Sequence, residues 1–184
     1  GYADMIQKGI GGKVVRFHVL ANSDSEADQT LKLAVRDRVL QEYGDLLETC
    51  TSKEETLAAL KNAQQEISET AEAEVLAQGY TYPVRVSLVR EEFPFKKYGD
   101  LIFPAGVYDA LRIEIGEAKG KNWWCVLYPQ MCYVDAAWGY STEESHVRLQ
   151  NTLTKEEFLV VSAMEQKKVT PKIKCRLVEL WSER

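Results

Sequence analysis

The sequence predicts an α+β fold: a single two-layer domain, mostly antiparallel sheet with helices on one face, in the order β-α-α-β-β-β-α-β. Apolar residues recur at helical spacing between Ala27 and Val75, and the period then changes to two between Tyr82 and Tyr128. No linker divides the 184 residues, and 45% apolar with 28% charged content suits one globular core.

Residues 1–12 include Gly9, Gly11 and Gly12 and are expected to form a flexible N-terminal segment, the remnant after an export or anchor segment, with the domain proper spanning 13–184. Residues 13–20, Lys-Val-Val-Arg-Phe-His-Val-Leu, are rich in β-branched and aromatic types and predict a strand. Ser23 with Glu26 matches a capping box, and Ala27, Leu31, Ala34, Val35 and Val39 form one stripe of a helix expected to stop near Gly44. Ser52 with Glu55 opens a longer amphipathic helix through Thr56, Leu60, Ala63, Ile67, Ala71 and Val75, ended by Gly79. Val84, Val86 and Leu88 alternate with Arg85 and Ser87 as a strand. The stretch Phe93–Pro104 interrupts, and alternation resumes through Val107, Asp109, Leu111, Ile113 and Ile115. A turn over Gly116–Gly120 leads to a third strand, Trp123–Tyr128. Gly139–Asn151 has no clear period and is expected to be loop. Thr154 with Glu157 caps a short helix to about Gln166, and Ile173, Cys175 and Leu177 alternate as a final strand.

Charge and motif content exclude several functions. A net charge of −5 and a pI near 5.2 give no basic field, and the densest run of lysines, Lys167–Lys174, is no patch, so nucleic acid is not an expected partner. No window approaches the apolar length of a membrane span. No C-x-x-C or H-E-x-x-H pair offers a metal cage, so no metal is expected. The segment Asn22–Asp28 follows a strand and opens a helix, where phosphates often bind. Its carboxylates complement the helix dipole and repel an anion, and there is no Gly-rich nucleotide loop, so no cofactor is expected. The carboxylate pairs Glu91/Glu92 and Glu143/Glu144 fall in no run suggestive of a cleft and are expected at the surface.

Cys125 and Cys132 lie seven positions apart across Pro129 and are expected to pair, a bond that would imply an oxidising compartment; Cys50 and Cys175 are left free or mutually paired. Were Cys125 instead a nucleophile, its base would be His18 or His146. Core packing is the ordinary role for the cluster Trp123, Trp124, Tyr128, Tyr133, Trp138 and Tyr140. Trp123 and Trp124 point to opposite sides of a strand, so one must be covered by a helix, a loop or a partner. Because tryptophan is enriched among residues that dominate interface energies, they are the best contact candidates of the chain.

Several blocks resemble one family. They are Arg16-Phe17-His18-Val19-Leu20-Ala21-Asn22-Ser23-Asp24-Ser25, Asp28-Gln29, Leu31-Lys32, Val35-Arg36-Asp37, Lys97-Tyr98-Gly99-Asp100-Leu101, Phe103-Pro104-Ala105-Gly106, Tyr108-Asp109-Ala110-Leu111-Arg112-Ile113 and Gly120-Lys121-Asn122-Trp123-Trp124-Cys125-Val126. Together, over residues 13–136, they are similar to the stage II sporulation protein R family. Departures are Ala118, where the family pattern has Gly, and Gln130, where it has a second Pro. The resemblance implies a non-enzymatic signalling protein, made in the forespore and exported into the space between the forespore and mother-cell membranes. There it would activate a membrane-embedded aspartic protease that matures a mother-cell sigma factor precursor. The expected contact surface is the Phe93–Pro104 loop with the start of the third strand, using Lys97, Tyr98, Asp100, Asn122, Trp123 and Trp124. The competing readings are an exported thiol hydrolase using Cys125 and His18, and a cell-wall glycan-binding module using exposed tryptophans.

Overall fold

A computed structural model describes residues 1–132 and 143–162 of the chain. Its elements, in chain order, are α1 (Tyr2–Gly11), β1 (Val15–Leu20), α2 (Glu26–Glu48), α3 (Lys53–Asn62), α4 (Gln64–Ala77), β2 (Val84–Phe93), β3 (Lys96–Tyr98), β4 (Leu101–Phe103), β5 (Gly106–Ile115), β6 (Asn122–Tyr128), α5 (Glu143–Thr152) and α6 (Lys155–Val161). Four strands form a sheet in the order β2-β5-β1-β6. β1 runs parallel to β5 and antiparallel to β6, and β2 is antiparallel to β5, so the sheet is mixed and mostly antiparallel. The α+β class read from the sequence is the one observed.

Helices cover both faces of that sheet, not one. Val15, Phe17, Val19, Leu111, Ile113, Ile115, Cys125 and Leu127 face α2, α3 and α4 and form the larger core. The alternate residues Ala110 and Val126, with Tyr108 and Phe93, face the opposite way and pack with Ile6 and Ile10 of α1, Leu101 and Phe103 of β4, Leu149 of α5 and Val161 of α6. The second layer went unpredicted because α1 and α5 are short and carry few buried positions; α6 was expected as a helix but not on this face. α1 occupies the segment expected to be flexible, and its Ile6 and Ile10, four residues apart, bury one stripe. α5 lies within the expected loop 139–151, where only Ser145 and Leu149 are buried, too few apolar positions to show a period.

The long helical stretch differs in its joints. α2 is capped by Ser25, whose hydroxyl accepts from the Asp28 N–H at 3.1 Å, instead of by Ser23. It passes through Gly44 to Glu48, because Tyr43 and Leu47 on either side of Gly44 are buried in the core. The run from Thr56 to Val75 is two helices joined at Ala63, although Thr56, Leu60, Ala63, Ile67, Ala71 and Val75 are all buried as its period requires. Ser52 caps α3, Gly79 follows α4 with φ +90°, and Thr154 and Glu157 form the capping box of α6, as read. Phe93–Pro104 contains the small hairpin β3–β4, paired from Lys96↔Phe103 to Tyr98↔Leu101. Tyr133, Trp138, Tyr140, the end of the last helix and the expected strand at Ile173, Cys175 and Leu177 lie outside the described residues.

Candidate functional site

The loop from β1 into α2 and the turn from β5 into β6 are knitted into one corner. Asp28 is buried and accepts hydrogen bonds from the Ser23 hydroxyl and, at 2.9 Å, from Asn22 Nδ2; those bonds, Ser23 first, hold its carboxyl below the usual range. Across the corner, Asn22 Oδ1 accepts from the Glu117 N–H at 2.9 Å and Asp24 Oδ1 from the Lys121 N–H at 2.7 Å, while Lys32 Nζ donates to the Lys121 carbonyl at 3.1 Å. Glycine is required twice. Gly116 has φ +60° and any Cβ there would lie 2.2 Å from Asn22 Oδ1, and a Cβ on Gly120 would lie 2.2 Å from the Ser23 carbonyl oxygen. Ala118 sits between them with φ +54°, a left-handed conformation that explains why the family pattern has Gly there. Asn22, Asp24 and Lys32 thus tie the start of α2 to the turn that precedes β6.

From that start, Trp123 and Trp124 leave the sheet on opposite faces. Trp123 is half-buried against the larger core beneath the Arg36 guanidinium, 4.2 Å from the ring centre. Trp124 pairs in register with His18 and stacks on it, centroids 3.7 Å apart and 15° from parallel, with Phe93 edge-on at 4.7 Å. His18 Nδ1 lies 2.7 Å from Glu91 Oε1, and Arg112 Nη1 donates to the other oxygen at 2.9 Å. A carboxylate only accepts, so Nδ1 carries the proton. Burial lowers the affinity of this ring for a second proton, and the hydrogen bond and charge of Glu91 offset that only in part.

Beside Trp124, Tyr98 of the hairpin accepts a hydrogen bond from Arg16 Nη2 at 3.0 Å and donates its own to the Trp124 carbonyl at 3.1 Å. The structure thus brings Tyr98 and Trp124 together with exposed Lys97 and Asn122 close by in sequence. Asp100 turns to α5, where its carboxylate lies 2.8 Å from His146 Nε2. Trp123 belongs to the other face. Sequence reasoning missed Arg16 and Lys96, whose ammonium stands 5.6 Å from the centre of the Trp124 ring, and considered His18 only as a base for Cys125, not as the ring on which Trp124 stacks. One signal was present: Arg16 and His18 alternate with Val15, Phe17 and Val19, placing two polar groups on one face of a central strand.

Cys125 carries no free thiol. Cys125 is bonded to Cys132, as the spacing suggested, with Cα atoms 5.7 Å apart. Cys125 pairs in register with Phe17, so its side chain faces the core opposite to His18, and the proposed thiolate–imidazole pair does not form. Cys50 is a free thiol, and Cys175 lies outside the described residues. Among the described residues no group of three His, Cys, Asp or Glu side chains is placed to hold a metal ion. Nor is any helix among them long and apolar enough to cross a membrane.

The family model for stage II sporulation protein R matches residues 11–138. The chain belongs to the stage II sporulation protein R family. A relative from Bacillus subtilis (strain 168), named stage II sporulation protein R, is 32% identical over 184 residues, covering 95% of this chain and 82% of the relative. No solved structure matches the chain. Its role is accordingly in sporulation, and the matched span contains the corner, the hairpin and the Asn122–Cys125 strand start together.

Proposed function

We propose that this family member is a signalling protein that acts by contact: exported from the forespore into the space between the two membranes, it activates a membrane-embedded aspartic protease of the mother cell, which then matures a sigma factor precursor. One observation carries the choice of contact over catalysis. Cys125, the only cysteine in the Asn-Trp-Trp-Cys block, is locked in a disulfide and faces away from His18. A disulfide in that block also suits an oxidising, exported location.

The residues around Trp124 have the makeup of a recognition surface. Half-buried aromatics held rigid by stacking lose little freedom on binding and tend to dominate interface energies. Phe95, 58% exposed at the mouth of the hairpin, adds an apolar anchor. Activation by contact requires tighter binding to the active arrangement of the protease than to the inactive one, and a tenfold shift needs a difference of about 1.4 kcal/mol. The test is co-expression of the protease and its sigma factor precursor with and without this chain, reading precursor cleavage. Cleavage that rises with the chain supports the proposal; cleavage unchanged by it refutes it.

A further inference from the structure

Arg16 is fully buried in the middle of the sheet, and a guanidinium removed from water needs acceptors for its N–H groups. It has few. Nε lies 3.4 Å from the Cys125 carbonyl, Nη2 reaches the Tyr98 hydroxyl, and Nη1 finds no acceptor among the described residues. Three rings also stand against it, with Phe93, Phe103 and Tyr108 centred 4.5, 5.0 and 4.8 Å from its central carbon.

A second cation stands close by. Lys96 is half-buried, and burial first and the Arg16 charge second lower its proton affinity. Neither Arg16 nor Lys96 forms an ion pair among the described residues, and Lys97 next in the chain is exposed. The nearby carboxylate of Glu91 is already held by Arg112 and His18. Among the described residues, no carboxylate pairs with either Arg16 or Lys96 beside Trp124.

We propose that Arg16 and Lys96 form an anion subsite, closed by Tyr98, that takes a carboxylate side chain from an acidic segment of a protein partner. The planar guanidinium fork between aromatic walls suits a planar carboxylate. The Tyr98 hydroxyl now occupies the place of an incoming oxygen on Nη2, and an arriving carboxylate would displace this partly buried side chain to reach it. An anionic membrane is the poorer match, since the chain as a whole carries −5 and would be repelled by it. This names the partner chemistry of the surface proposed above and rests on that reading.

The experiment measures binding of a tetraglutamate peptide to the disulfide-bonded chain, with tetraglutamine peptide and phosphatidylglycerol vesicles as comparisons. Saturable binding of tetraglutamate alone is expected. Arg16→Met, which fills the cage with an apolar chain, and Lys96→Met, at a half-buried position, should each weaken it about tenfold or more. Tyr98→Phe, which removes the competing hydroxyl, should bind at least as tightly as the parent. No binding, binding undiminished in both Met variants, or preference for the vesicles would overturn the proposal. In the precursor-cleavage assay the two ideas separate: a parent chain that raises no cleavage counts against the protease reading, whereas a Lys96→Met chain that activates as well as an active parent counts against the subsite.

Discussion

Gly120→Ala should destabilise the protein far more than a single added methyl group suggests. The new Cβ would stand 2.2 Å from the Ser23 carbonyl oxygen, 2.5 Å from its carbon and 3.0 Å from Ala21 Cβ, so two of its three nearest neighbours are backbone and no side-chain rotation relieves the clash. Relief requires the turn to withdraw, which breaks the bond from the Gly120 N–H to the Ala21 carbonyl, 2.9 Å long. Overpacking costs about 1–3 kcal/mol and the lost hydrogen bond about 1 kcal/mol more, together about 2–4 kcal/mol. For a chain of this size each kcal/mol moves Tm by roughly 2–4 °C, so thermal unfolding should come roughly 4–16 °C earlier. Ala118→Gly, two residues away, should act in the other direction. It relieves a left-handed alanine at about 1 kcal/mol while adding freedom to the unfolded chain, a net gain of about 0.5 kcal/mol. Scanning calorimetry of both variants checks the pair. A Gly120→Ala protein melting with the parent would refute the close approach of the β1–α2 loop to the β5–β6 turn.

Other outcomes follow from the same structure. The Cys125→Ala, Cys132→Ala double variant should lose about 2–3 kcal/mol in urea unfolding on the chain-entropy model, the bridge closing a loop seven residues apart, and no loss would place the stability elsewhere. The His18 pKa is lowered below 6.5 on folding, so the unfolded chain takes up more protons there and stability should fall as pH drops from 6.5 toward the folded value. His18→Asn should remove that component of the slope, and an unchanged slope would show that another group produces it. Asp28→Asn should cost stability at neutral pH by weakening the Ser23 and Asn22 bonds. Because the Asp28 pKa is lowered from 3.8, the deficit should shrink as pH falls through and below that value, and a deficit constant with pH would exclude the ionised carboxylate as its source.

The parts of the fold legible in the sequence were those with a long period. Leu60, Ile67 and Val75 mark one helical face wherever the helix is jointed, and Leu111, Ile113 and Ile115 mark one strand face. The joint at Ala63 left no signal, since alanine is favourable in a helix and there was no glycine or proline to punctuate it. The layer formed by α1, the hairpin and α5–α6 was hidden because each piece contributes only a few buried side chains to a core assembled from distant segments. At the candidate site, Tyr98, Asn122 and Trp124 were legible because aromatic and amide residues stand out in a motif. Arg16 was not, since a charged residue inside a strand reads as solvent-facing until the rings that enclose it, from β2, β4 and β5, are brought together by the fold.

The sharpest test of action by contact is stoichiometric. With a fixed amount of the protease and its precursor in vesicles, purified chain is added in increasing amount and then removed while cleavage is followed. Stable contact predicts that cleavage climbs until chain and protease are about equal in number and declines once the chain is withdrawn. Full cleavage from a trace of chain, persisting after its removal, would contradict activation by stable contact.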